Sequence, residues 1–248
     1  MRKIYFPLSI FCLLATFLLL PVVKAGNNSA IAASPAEIIT EISEEKEFSA
    51  AVAATVLYDS MKLDKLGMSK EAMVYAFTGY QKLVASGQLK KSSVLTVIDF
   101  SQRSDKKRMY IIDVDNFKVL INTFVAHGKN TGLQYAEKFS NTHESLQSSL
   151  GFYITKGIYF GKHGRSLKLG GVEKEFNDNA EARAVVVHGA TYIGAHRLGA
   201  PYMGRSFGCP AVPQELANTV IDIIKDGTCM FIYHPSPKYI KGSKLLNA

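Results

Sequence analysis

The chain has 248 residues, a length that suits one medium domain or one domain with a small appendage. With 47% hydrophobic and 20% charged residues it has the composition of an ordinary globular protein, not of a disordered or fibrous one. The net charge of +8 comes without a dense basic block interleaved with aromatics, so nucleic acid is not an expected partner.

Arg2 and Lys3 precede an apolar run over residues 4–23, and Val23-Lys24-Ala25 offers small residues at its exit. This is the form of a secretory signal peptide over residues 1–25. The alternative is an uncleaved anchor, because only Pro7 and Pro21 interrupt the run. Cleavage would remove Arg2, Lys3 and Lys24 and no acid, which takes the net charge from +8 to +5. A mild positive charge suits association with an anionic wall polymer or a membrane surface. No integral membrane domain is expected after cleavage. Residues 26–34 are small and polar and read as a flexible lead.

Pro35 opens a helical pattern in which Ile38, Ile42, Val52 and Val56 recur at helical spacing, with acids crowded into the first half. Leu66-Gly67 breaks it. Ser69 is placed to cap a second helix carrying Met73, Phe77, Tyr80 and Val84, and Gly87 ends that helix. Residues 35–90 therefore read as a helical appendage. From Ser93 the period changes to strands over 94–100, 109–114 and 119–125, a meander of hairpins. Residues 152–155 and 184–187 are further short strands. Residues 213–226 form an amphipathic helix on Leu216, Val220, Ile223 and Ile224, stopped by Gly227. A last strand over 229–233 closes a domain expected over 91–237, and 238–248 is left as a C-terminal tail. The fold class expected is mainly β with an N-terminal helical appendage, α+β overall.

Residues 185–212 hold the chemistry. A β-branched run ends in His188-Gly189, and Ser206-Phe207-Gly208-Cys209 follows. Of the three cysteines, Cys12 lies in the apolar leader and Cys229 in an apparent buried strand, where a thiol behaves as a small hydrophobe. Cys209 and Cys229 are expected as free thiols. An ordinary thiol has a pKa of about 8.5 and is a poor nucleophile until activated. The helix expected from Pro213 would favour a thiolate through its N-terminal dipole, and His188 would take the thiol proton. The amides of Gly208 and Cys209 would hold a tetrahedral oxyanion. Spacing alone leaves a plain tight turn with a buried thiol equally open.

The same residues resemble the YkuD-type L,D-transpeptidase catalytic domain, which shows His-Gly or His-Ser at a strand end and then Ser/Thr-His-Gly-Cys. The chain is more similar to a divergent branch of it, the murein L,D-transpeptidase catalytic domain family. Its signatures are residues 126–130 (AHGKN), 148–153 (SSLGFY), 161–167 (GKHGRSL), 188–190 (HGA) and 204–211 (GRSFGCPA). The likeness covers about residues 93–235. It implies the YkuD-type fold and a cysteine acyltransferase with Cys209 as nucleophile and His188 as base. The partners implied are peptidoglycan stem peptides, donor and acceptor, in the periplasm or cell envelope. No cofactor and no metal are implied. Water as acceptor would make the protein an L,D-carboxypeptidase instead.

Phe207 stands where the main family has a histidine, and Pro210-Ala211 replaces a polar or arginine-bearing tail. Carboxylate recognition then falls to Arg205, Arg197 or Arg165, with Arg205 preferred for lying four residues before Cys209. His163 is a candidate to replace the missing histidine. Arg205, Ser206, Gly189, His163, Tyr192 and His127 are the expected substrate-binding residues. A zinc-dependent wall peptidase using His127, His163, His188 and His196 is a rival reading, but the spacings form no tight ligand motif. A non-catalytic wall-binding module is a third.

Overall fold

The computed structural model describes residues 49–247. A helix over residues 49–60 (α1) precedes α2 (Lys70–Ala85). Then come β1 (Val94–Asp99), β2 (Met109–Asp113), β3 (Lys118–Thr123), β4 (Gly151–Gly161), β5 (Gly164–Gly171), β6 (Val186–Ala190) and β7 (Ala211–Pro213). α3 (Ala217–Ile224), β8 (Cys229–Tyr233), α4 (Pro237–Gly242) and α5 (Lys244–Asn247) complete the chain. The signal peptide and flexible lead expected over 1–34 lie outside the described residues.

The strands form one eight-stranded sheet in the order β3-β2-β1-β8-β4-β5-β6-β7. Neighbours are antiparallel except β1–β8 and β6–β7, which are parallel. The segment after β3 reaches back to the far edge: the Ala126 amide donates to Ala211 O at 2.8 Å, and Gly128 bridges Ser206. The two ends of the sheet are thereby joined through that segment, and the sheet is nearly closed into a barrel. Such closure covers edges that would otherwise present unpaired backbone groups.

The central strands β1 and β8 are buried along their whole length, which is why they read as continuous apolar runs. α2 lies against them. Ser69 Oγ accepts the Ala72 amide at 3.1 Å as the N-cap, and Ala72, Met73, Ala76, Phe77, Tyr80 and Leu83 form the buried face. Gly79 lets the helix approach Phe152 of β4 so closely that a Cβ would stand 2.1 Å from the ring. α2 and the sheet share a single hydrophobic core. The described part of the expected appendage is therefore built into the domain. α1 turns Ala50, Ala54, Leu57 and Tyr58 inward, whereas Val52 and Val56, expected on its apolar stripe, are exposed.

The expected tail is also part of the fold. The buried Glu173 carboxylate accepts the Phe152 amide at 2.7 Å, the Tyr239 hydroxyl at 2.8 Å and the Ser243 hydroxyl. Burial holds the Glu173 carboxyl above the ordinary carboxylate range. Two strand readings change. The hairpin β4–β5 runs far beyond residue 155, and β5 has no counterpart in the sequence reading. Pro213 ends strand β7 and does not start a helix; a 3₁₀ turn, Gln214–Leu216, intervenes before α3.

Candidate active site

A cleft of about 440 Å³ opens between the β4–β5 hairpin tip, the start of β6 and the turn before β7. Lys162 and His163 line it from the hairpin, Val186 and His188 from β6, Phe207 and Cys209 from the turn. Tyr159, Arg183, Tyr192, Arg205 and Ser206 also line it.

His188 is held by the sheet on both sides, paired with Ser166 of β5 and with Ala211 of β7. Its side chain is buried, and Nδ1 lies 2.8 Å from Gly189 O. A carbonyl oxygen only accepts, so Nδ1 carries the proton and Nε2 keeps its lone pair. The His163 ring stacks on His188 at 4.2 Å with 17° between the planes. Burial lowers the His188 pKa; His163 and Lys162 push the same way, and the bond to Gly189 opposes them.

Cys209 stands two residues ahead of Ala211, the register partner of His188, and this brings the thiol to the start of β6. The Sγ–H donates to Ala184 O at 3.7 Å. Burial pushes the thiol pKa up, while the Val186 amide and the charges of Arg183 and Lys162 pull it down. The helix-dipole activation expected from a helix at Pro213 does not apply, because β7 and the 3₁₀ turn separate Cys209 from α3.

The turn itself is closed by Ser206. Its hydroxyl donates to Cys209 O at 2.6 Å and accepts the Gly208 amide at 3.1 Å. Gly208 has φ +124°, and a Cβ there would meet Gln147 O at 2.8 Å, so glycine is required. Its amide, expected as an oxyanion donor, is already engaged.

Several expected binding residues serve the scaffold. His127 is 1% exposed: Arg108 Nη2 donates to its Nδ1 at 2.8 Å, and its Nε2 donates to Gly132 O at 3.2 Å. Burial and the Arg108 charge push its pKa down to about 3, so it is a neutral core histidine. Gly189 does not line the cleft. Its missing side chain makes room for α3, since a Cβ would fall 2.8 Å from Ala217 Cβ. Arg205 lines the cleft, but Nη1 donates to Lys129 O at 2.8 Å and the guanidinium lies over the Tyr202 ring. Arg165 is tied to Asp222 at 2.6 and 3.0 Å, and Arg197 and His196 lie in the 3₁₀ turn Ala195–Arg197, off the cleft wall.

Sequence reasoning missed Arg183, Lys162 and Tyr159. Arg183 donates to Gln147 O at 2.6 Å and Ser140 O at 2.7 Å and so pins the 140–149 loop beside the thiol. The glycines around Lys162-His163 were the available signal for a tight hairpin tip. Among the described residues, no three His, Cys, Asp or Glu side chains are grouped to hold a metal ion. Cys209 and Cys229 are both free thiols.

Residues 64–233 match the family model described as the L,D-transpeptidase catalytic domain. The chain belongs to that family. The match begins inside the segment expected as an appendage, in keeping with the shared core of α2 and the sheet. Solved structures similar to the chain include three L,D-transpeptidases. An L,D-transpeptidase from Mycobacterium smegmatis is 15% identical, with 57% of this chain and 59% of that chain covered and a TM-score of 0.36. An L,D-transpeptidase from Stackebrandtia nassauensis is 13% identical, with 67% and 68% covered and a TM-score of 0.33. L,D-transpeptidase 1 of Mycobacterium tuberculosis is 13% identical, with 57% and 62% covered and a TM-score of 0.31. The chain thus spans about three-fifths of the first relative's length. No curated protein sequence matches it significantly. No helix among the described residues is long and apolar enough to cross a membrane.

Proposed function

We propose that the protein is a cysteine L,D-transpeptidase that cross-links or remodels peptidoglycan stem peptides through an acyl-enzyme on Cys209. The observation that carries this reading is that Cys209 and His188 line one cleft, with the His188 proton held on Nδ1 and the basic Nε2 left over. His188 Nε2 takes the thiol proton as Sγ adds to the amide carbonyl of the donor stem. The tetrahedral oxyanion is held by the Cys209 amide, since the Gly208 amide is bound to Ser206. The C–N bond breaks, the proton passes from His188 to the leaving D-residue amine, and a thioester remains. A side-chain amine of a second stem then adds to the thioester, gives its proton to His188 and releases the thiol. Cys209, His188 and the turn held by Gly208 form the catalytic group. His163 and Tyr192 line the substrate cleft, with Arg205 and Ser206 shaping its wall. Export, directed by residues 1–25, brings the enzyme to this polymer in the periplasm or cell envelope.

The thiol of a resting enzyme does not need to be ionised for this route. Burial disfavours both the thiolate and the imidazolium, so the neutral pair is the ground state. Intact-mass spectrometry of the protein with tetrapeptide-stem muropeptides tests the reading. A single acyl adduct and cross-linked dimers are expected with wild type and neither with Cys209→Ala. Trimmed monomers without dimers would make it a carboxypeptidase. Turnover by Cys209→Ala would remove the thioester mechanism.

A further inference from the structure

Among the described residues the cleft carries positive charge and no acid: Lys162, Arg183 and Arg205 line it, and no Asp or Glu does. The arginines are committed. Arg183 is spent on Ser140 O, Gln147 O and two serine hydroxyls, and Arg205 on Lys129 O and Gly132 O. Arg165 is spent on Asp222.

Two lysines are not. Among the described residues, neither Lys129 nor Lys162 has an ion-pair partner. Instead both ammonium groups are gathered at the Phe207 ring, Lys129 at 4.9 Å and Lys162 at 5.8 Å from its centroid. They come from separate segments, the loop after β3 and the β4–β5 hairpin tip, while Phe207 belongs to the nucleophile turn. The Lys129 backbone is fixed there because its amide donates to Ser206 O at 2.8 Å. Phe207 is 63% exposed and lines the cleft. An aromatic face attracts ammonium groups without neutralising them. Two like charges are thus brought to a ring that lines the cleft, with no ion-pair partner among the described residues. Lys162 also acts on the thiol, but Lys129 is not among the charges that do, so thiol activation does not account for the pair.

Resting on the transpeptidase reading, we infer that Lys129 and Lys162, gathered at the Phe207 ring, form an anion subsite that takes a free carboxylate of the peptide substrate. The carboxylate belongs either to the side chain of the donor residue or to the C-terminus of the leaving residue. In both cases the subsite sets specificity.

The test measures binding to the full chain in a Cys209→Ala background, where peptide binds without reacting. Titration calorimetry compares a stem tetrapeptide with both carboxylates free, the same peptide with the side-chain carboxylate amidated, and the same peptide with the C-terminus amidated. The free acid should bind about fivefold or more tightly than one of the two amides, and which amide weakens identifies the carboxylate. Lys129→Gln with Lys162→Gln should erase that difference, and raising the salt concentration should shrink it. Urea midpoints of the variants are compared in parallel, because both side chains are on the surface and the fold should survive. Equal affinity for all three peptides, discrimination that persists in the double variant, or no measurable binding of the free acid at millimolar concentration would overturn the subsite. The acyl adduct of the wild type is read separately: its absence would remove the transpeptidase reading while discrimination by the lysines would still stand.

Discussion

Gly189→Ala probes the contact that seats the histidine strand on α3. The new Cβ would stand 2.8 Å from Ala217 Cβ and 2.8 Å from Gln214 Oε1. Gln214 can swing its amide away, but the Ala217 methyl is fixed to the helix and 4% exposed. Overpacking of this kind costs about 2 kcal/mol. Ala217→Gly alone loses helix propensity and a buried methyl, also about 2 kcal/mol. If the two sites were independent, the double variant would lose about 4 kcal/mol. They share one volume, so the second substitution removes the atom that the first one strikes. The double variant should lose about 1–2 kcal/mol, a coupling several times the usual additivity error of about 0.5 kcal/mol. Urea unfolding monitored by tyrosine fluorescence and by circular dichroism gives all four stabilities. Turnover should follow the same cycle, because Gly189 O orients the His188 ring. Additive losses within about 0.5 kcal/mol would refute the steric account of this glycine.

In the proposed mechanism the lowered His188 pKa sets the acid limb of activity. His188 must be neutral to take the thiol proton, so kcat/KM should rise with pH through a midpoint below the ordinary 6.5. A midpoint above pH 7 would contradict the burial argument. His127, held neutral with a pKa of about 3, gives a stability signature instead. Between about 3 and 6.5 the unfolded chain binds a proton at this residue that the folded chain does not, so stability falls as pH falls through that window. His127→Phe should reduce the slope of unfolding free energy between pH 4 and 6 by about 1.4 kcal/mol per pH unit. An unchanged slope in chemical unfolding at several pH values would refute it.

The elements that were legible in the sequence are those whose signal is local. Ser69 announces the start of α2, and the apolar run Cys229–Tyr233 is a strand to the residue. β5 was not legible because Gly164, Gly170 and Gly171 dilute its alternation; the strand exists through pairing with β4 and β6. β7 has only three residues and ends in proline, so its identity as a strand comes entirely from the parallel ladder with β6. The helix pattern after it is real, but the backbone around Pro213 is claimed by the sheet first.

From the sequence alone Cys209 and His188 stand out as candidate nucleophile and base, because strand-end and turn patterns are written in consecutive residues: His188-Gly189 and Ser206-Phe207-Gly208-Cys209. The sequence also determined that Gly208 is a turn glycine. Tertiary structure decided how those residues are equipped. His127, in a glycine-rich segment much like that of His163, is buried against Arg108, while His163 reaches the cleft because the β4–β5 hairpin carries it there. The cations at the mouth come from segments as distant as Lys129 and Lys162, and only the folded sheet brings both to Phe207. Charge and hydrogen-bond satisfaction depend on neighbours in space, and those are set by strand order, which no local pattern encodes.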